Sequence, residues 1–184
     1  MFQLSLVDHI RLSFSHVFHA SHAHAEAAER LARRARHARI AVLAVLGLAS
    51  CAAVAALFQG RPVQIAAAAL VGLGYGVYAV VVVLDFEPRV AAHRAAASSL
   101  WLLADRYCAL LGDVQDGAIE PAAAAERRDA LMREVQAVFE LAPAGDRNTI
   151  AQARRALSAK DGLYSDEEID RILPPSLRRG HSAA

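Results

Sequence analysis

The sequence predicts an all-α fold: a two-helix transmembrane hairpin whose long helices extend into a small cytoplasmic helical domain. Three observations predict it. Two uncharged runs, Ile40–Phe58 and Val63–Leu84, are separated by only four residues. Apolar side chains after Pro88 recur at i, i+3 and i+4, the period of an amphipathic helix. No run alternates apolar and polar residues as a half-buried strand would.

The first segment, Met1–Ala25, carries Leu4, Leu6, Val7, Ile10, Leu12, Phe14, Val17 and Phe18. This is the pattern of a short amphipathic or interfacial helix. Asp8, His9 and Arg11 interrupt it, so it lacks the continuous apolar region of a signal peptide. His16, His19, His22 and His24 cluster here. His16 and His19 can share a helical face, one route to a metal site. No neighbouring Cys or carboxylate completes a ligand set, so a pH-sensitive interfacial segment is the preferred reading. Ala23–Arg39 is rich in Ala, Glu and Arg, all good helix formers. It reads as a helix entering the membrane, with Arg33, Arg34, Arg36 and Arg39 among lipid headgroups, where anionic lipid attracts them.

Ile40–Phe58 is 19 residues long without a charge. As a helix it covers roughly 28 Å, close to the thickness of the hydrocarbon layer. Val63–Leu84 is 22 residues with Gln64 as its strongly polar side chain, and covers about 33 Å, enough to span with some tilt. The runs hold nine and eleven Leu, Ile, Val and Phe residues, each favouring insertion by about 0.3–0.6 kcal/mol. A pair of buried helices in a soluble bundle is the competing reading, but soluble core helices seldom run this long without a charge. The connection Gln59-Gly60-Arg61-Pro62 places Gly to cap the first helix and Pro to open the second, and its length allows only an antiparallel hairpin. Arg30, Arg33, Arg34, Arg36 and Arg39 precede the first span, Arg89 and Arg94 follow the second, and Arg61 stands alone in the loop. The arginine bias predicts both termini cytoplasmic.

Ala68, Gly72 and Gly76 recur every four residues on the second span, in line with Gln64. Gly72 and Gly76 form a GxxxG pattern, which permits close helix approach. Gly47, Cys51 and Ala55 form a similar stripe on the first span. One stripe can serve the hairpin partner and another a neighbouring subunit, although Ala-rich spans also give such stripes by chance. If a pore exists, Gln64, Ala68, Gly72 and Gly76, or the edge acids Asp85 and Glu87, are its candidate lining, and Gly47, Cys51 and Ala55 are candidate packing residues. Asp85 and Arg89 stand four apart and can instead pair on a helix surface. The Gly72-Leu73-Gly74-Tyr75-Gly76 run is similar to a potassium filter, but a filter is non-helical backbone sheltered by protein, and this run lies mid-span.

Beyond Pro88, Val90, Ala97, Leu100, Trp101, Ala104, Tyr107, Cys108 and Leu111 make a helical stripe, in which Trp101 and Tyr107 serve a core or an interface, with a core the preferred reading. Asp113–Gly117 breaks this helix. Pro121 opens the next, which carries Leu131, Val135, Val138 and Phe139. Ala142-Pro143-Ala144-Gly145 ends it, and Asp146 caps a third helix with Ile150, Ala153 and Leu157. Ser165-Asp166-Glu167-Glu168 fits a capping box, followed by Ile169, Ile172 and Leu173. Pro174-Pro175 stops that helix. The chain thus divides into an N-terminal amphipathic and juxtamembrane segment (1–39), the hairpin (40–84), a cytoplasmic helical domain (85–175) and a disordered tail (176–184). So few short helices give a thin core, which favours burial of their apolar stripes against identical copies.

The net charge of +1 argues against nucleic acid as a partner. Cys51 and Cys108 are not spaced for a metal site or a disulfide. There is no GxSxG, HExxH, CxxC or glycine-rich phosphate loop, so neither an enzyme nor a cofactor is expected. A transporter would need more spans or intramembrane charges than one chain supplies.

The order of parts resembles the SLATT family, the two-transmembrane effectors associated with SMODS nucleotide synthases and SLOG nucleotide sensors in bacteria. The resemblance rests on His93-Arg94, the Leu100–Leu111 run, Gly117-Ala118-Ile119, Arg127-Arg128-Asp129-Ala130-Leu131, Leu141-Ala142-Pro143 and Tyr164–Asp170 with Leu173-Pro174. It covers about residues 25 to 175. Ala144-Gly145-Asp146 stands where the family usually has a Thr after its Ala-Pro step. The resemblance implies a homo-oligomeric pore in the bacterial inner membrane that breaches it when a separate nucleotide-sensing or nucleotide-synthesising partner fires. It supplies no catalytic residues. A membrane-anchored interaction module that recruits a cytoplasmic partner, without a pore, is the alternative, because the spans carry few polar groups: Gln64, Ser50, Cys51, Tyr75 and Tyr78.

Overall fold

A computed structural model describes residues 5–58, 60–84, 86–143 and 165–179. These form α1 (Leu6–Ala56), α2 (Arg61–Leu84), α3 (Phe86–Gln115), α4 (Pro121–Leu141), α5 (Asp166–Ile172) and a 3-10 turn (Pro175–Leu177), with no strand among them. The fold is all-α with an antiparallel pair of long apolar helices, as the sequence predicts. The expected helix after Asp146 lies outside the described residues.

The chain divides into two units, Ala28–Ala91 and a second one made of Met1–Ala27 with Ala92–Ala184. The first unit is the hairpin. On the α1 side Val42, Ala49 and Ala56 are buried at seven-residue intervals, with Val45, Leu46 and Ala52 half-buried between them. On the α2 side Ala67 and Gly74 are buried, and Val63, Leu70, Val71, Val77 and Val81 are half-buried. This seven-residue recurrence is the seam of a coiled-coil-like contact. At the loop, Leu57 N–H donates to Val54 O and Phe58 N–H to Ala55 O, tightening the end of α1.

The second unit is a bundle. Ile10, Phe14 and Val17 of α1 pack with Leu100, Leu103, Ala104, Tyr107, Leu110 and Leu111 of α3, Ala124 and Leu131 of α4, Ile169 of α5 and Leu173 just after it. Three expectations change here. The N-terminal segment is not a separate interfacial helix: α1 runs unbroken from Leu6 to Ala56, and the segment's apolar face is buried against protein. It therefore joins the bundle and thickens a core that the other helices alone would leave thin. Trp101 is not core: it is 58% exposed, because the buried face of α3 is centred on Leu103, Tyr107 and Leu110. The segment after Pro175 is not loose as far as Arg179: it is hydrogen-bonded to the bundle.

The helix ends follow local chemistry. α3 closes in a Schellman motif, with Ala118 N–H donating to Asp113 O at 2.9 Å and Gly117 N–H to Val114 O at 3.3 Å. Gly117 has φ +66°, a conformation that favours glycine. Pro121 occupies the first turn of α4. Ser165 and Glu168 form the expected reciprocal capping box at α5.

Candidate functional site

The outer surface of the hairpin is the first candidate. The most apolar 18-residue windows of the two spans have only 11% and 12% of their residues buried. Leu43, Leu48, Ile65, Leu73 and Val83 all stand exposed. A core helix of a soluble protein would have these covered. Apolar surface on this scale calls for lipid or another protein. Every backbone polar group within such a span must be satisfied internally, and a helix does this.

Both predicted small-residue stripes lie on this outer surface. Gln64, Ala68, Gly72 and Gly76 are exposed on α2, and Gly47, Cys51 and Ala55 are on exposed positions of α1. A side chain added at Gly47, Gly72 or Gly76 would meet nothing within 4 Å. Neither stripe closes the hairpin. That contact is made at Gly74, where a Cβ would lie 3.2 Å from Leu46 Cδ2 and 3.4 Å from Val45 Cγ1. The GxxxG spacing pointed to the neighbouring face, since pattern alone does not say which side of α2 meets α1.

The polar candidates are engaged. Gln64 Nε2 donates to Ala56 O at 3.4 Å, serving one of the carbonyls that the end of α1 leaves unpaired. Glu87 forms an ion pair with Arg39, so one predicted pore-mouth acid and one predicted headgroup arginine meet each other. Both are exposed, and such pairs contribute about 0.2–1 kcal/mol. Arg33 pairs with Glu29 one turn back at 3.2 Å, while Arg34 and Arg36 are exposed. Asp85, and its pairing with Arg89, lies outside the described residues.

The bundle holds two constellations that sequence reasoning missed. Arg11 is 1% exposed. Its guanidinium donates to Asp170 Oδ1 at 2.6 Å and to Leu177 O at 3.1 Å, with Asp166 at 3.8 Å. Arg179 closes the outside, pairing with Asp8 and Asp166, and its N–H donates to Asp170 at 3.3 Å. Burial alone would raise the Asp170 carboxyl. The hydrogen bonds from Arg11 and the Arg179 backbone, with the charges of Arg11 and Arg178, outweigh it and hold Asp170 below the usual carboxylate range. Arg11 Nε and Ser15 Oγ, one turn apart on α1, are buried with no hydrogen-bond partner among the described residues. Asp166 and Asp170 are four apart on α5 and share a face, the one sequence signal for a cation partner, but nothing local pointed to Arg11.

The second constellation is a pair of imidazoles. His24 of α1 and His93 of α3 approach with Nδ1 to Nδ1 at 3.0 Å and ring centroids 5.2 Å apart. Burial lowers both from the ordinary imidazole value, and for His24 the neighbouring His93 lowers it further. Elsewhere on α1, His16 stands near Phe139, and His22 rests against Phe18. No group of three or more metal-ligating side chains occurs among the described residues.

Two long antiparallel apolar helices with uncovered outer faces, joined in one chain to a helical bundle, define an α-helical two-span membrane protein. The chain belongs to the SMODS and SLOG-associating 2TM effector domain family 4, whose family model matches residues 6–168. Membership implies a membrane effector of a defence or conflict system. The chain matches no curated protein and no solved structure.

Proposed function

We propose that copies of this chain assemble in the bacterial inner membrane, both termini cytoplasmic, into a pore that disrupts the membrane when a nucleotide-linked sensor partner signals. The observation that carries this reading is the outward placement of both small-residue stripes. The hairpin closes through Gly74 and leaves Gly72, Gly76, Gly47, Cys51 and Ala55 uncovered. Small residues on a lipid-exposed face let neighbouring backbones approach closely, and in a bilayer packing of this kind drives association. The arginine bias around the spans supports the orientation.

A second reading has its own support. Gln64 and Glu87, the polar groups offered for a pore, already have partners at the loop and at the membrane edge. A membrane-anchored module that recruits a cytoplasmic partner needs no polar lining. A narrow apolar pore that gates by dewetting also needs none. The two readings separate in cells overproducing the protein, monitored with a membrane-potential dye. The pore predicts depolarisation that Gly72→Leu abolishes while the protein still inserts. Full membrane potential with abundant inserted oligomer, in cells that also carry the activating partner, supports the anchored module.

A further inference from the structure

We propose that His24 and His93 form a two-imidazole site for a divalent first-row transition-metal ion, with Zn2+ as the reference ion, that ties α1 to α3. The two Nδ1 atoms lie 3.0 Å apart. Two imidazole nitrogens on one tetrahedral zinc, each at about 2.0–2.1 Å, stand about 3.3 Å from one another. To admit an ion the rings need to part by a few tenths of an ångström and to tilt so that both lone pairs converge on one point. The contact as it stands uses one proton, with one ring donating Nδ1–H and the other accepting at Nδ1. For both Nδ1 lone pairs to face a metal, the donor ring moves its proton to Nε2. No proton leaves the pair, and the hydrogen bond between the rings is exchanged for two metal–nitrogen bonds.

The environment suits this chemistry. His93 is buried and His24 half-buried, so water would reach a bound ion from the His24 side and complete its coordination. Imidazole donors favour zinc, copper and nickel over calcium or magnesium, which take oxygen ligands. An imidazole binds a metal in its neutral form. The two ligands come from separate helices, so an ion held here would brace the contact between them. The site is independent of the pore reading, since it lies within the bundle unit and uses none of the span residues.

The test uses the full chain, detergent-solubilised, stripped with a chelator and titrated with Zn2+ alone. An ion that binds only the folded form raises the unfolding midpoint in a concentration-dependent way. The expected result is a rise in the wild type that His24→Ala and His93→Ala each abolish and that His16→Ala/His22→Ala retains. Where an alanine variant fails to fold, Cu2+ bound to the wild type gives a second readout, with electron paramagnetic resonance coupling to two imidazole nitrogens expected. A midpoint unmoved by Zn2+ in the wild type, an equal rise in a His24→Ala/His93→Ala variant, or coupling to a single nitrogen would overturn the assignment and leave the pair as a plain hydrogen bond.

Discussion

Arg11 and Asp170, 159 residues apart in sequence, meet at 2.6 Å, and the arginine is 1% exposed. This contact fixes α5 to the first turns of α1. α5 is only seven residues long, too short to hold itself together. Its place depends on Ile169 and Leu173 in the core and on this charged clamp.

Removing Asp170, which is partly exposed, leaves the buried Arg11 guanidinium short of its nearest carboxylate. Asp170→Ala should destabilise the bundle by about 1–3 kcal/mol, the cost of a buried donor left without its partner, since Asp166 remains at 3.8 Å from the guanidinium. Arg11→Met with Asp170→Leu should recover much of that loss, because apolar replacement removes the desolvation cost as well. Thermal or denaturant unfolding of the solubilised protein measures both. A single variant as stable as the wild type would contradict the clamp.

The same pair sets an acid dependence. The folded Asp170 carboxyl is held below its ordinary value by Arg11 and Arg179 against the raising effect of burial. A lowered carboxylate contributes stability that is complete above the unfolded value, about pH 4, and is lost as pH falls through the folded value. Amide protection in Asp166–Ile172, corrected for intrinsic exchange rate, should therefore be level from pH 7 to pH 5 and drop below about pH 4. Asp170→Asn should remove this part of the pH dependence.

Gly74 and Gly72 separate the two packing roles on α2. Gly74→Leu drives a side chain into Leu46 and Val45 and should cost about 1–3 kcal/mol as overpacking. Gly72→Leu meets open space within the chain and should leave the stability of the isolated hairpin unchanged. On the assembly reading it instead reduces the oligomer. Unfolding and oligomer mass, measured on both variants, distinguish the two effects.

Cys51 offers a native probe of the α1 stripe, because it is exposed on the outer face. In a Cys108→Ala background, mild oxidation of membranes should yield a disulfide-linked dimer that Cys51→Ser lacks. A bridge forms only where the two Cα atoms come within about 4.4–6.8 Å. Cys108 itself is a poor competitor, since burial, with nearby Asp105, raises its thiol. No dimer at any oxidant level would place the α1 stripe against lipid or against α2 of a neighbour.

Length, charge and period made the hairpin, its loop, the capping box at Ser165 and the break at Gly117 legible, because each is set by residues close in sequence. What stayed hidden depends on contacts between distant segments. Arg11 read as an interruption of an apolar helix, since its partners lie near the other end of the chain. His93 carried the family resemblance but no partner, because helical spacing cannot show that α1 brings His24 to it. Trp101 fitted the apolar stripe of α3 as well as Leu103 did, and only the packing of α1 decides which of them is covered. The choice of Gly74 over Gly72 and Gly76 likewise depends on the face α2 turns to α1, which a glycine repeat at positions 72, 74 and 76 leaves open.

The central claim is that the uncovered faces of the hairpin are occupied by other copies of the chain. Native mass spectrometry of the protein released from nanodiscs tests it most directly. A discrete species at two or more times the 19.7 kDa chain mass, lost in Gly72→Leu, is the expected result. A single species at the monomer mass, unchanged in that variant, would contradict it.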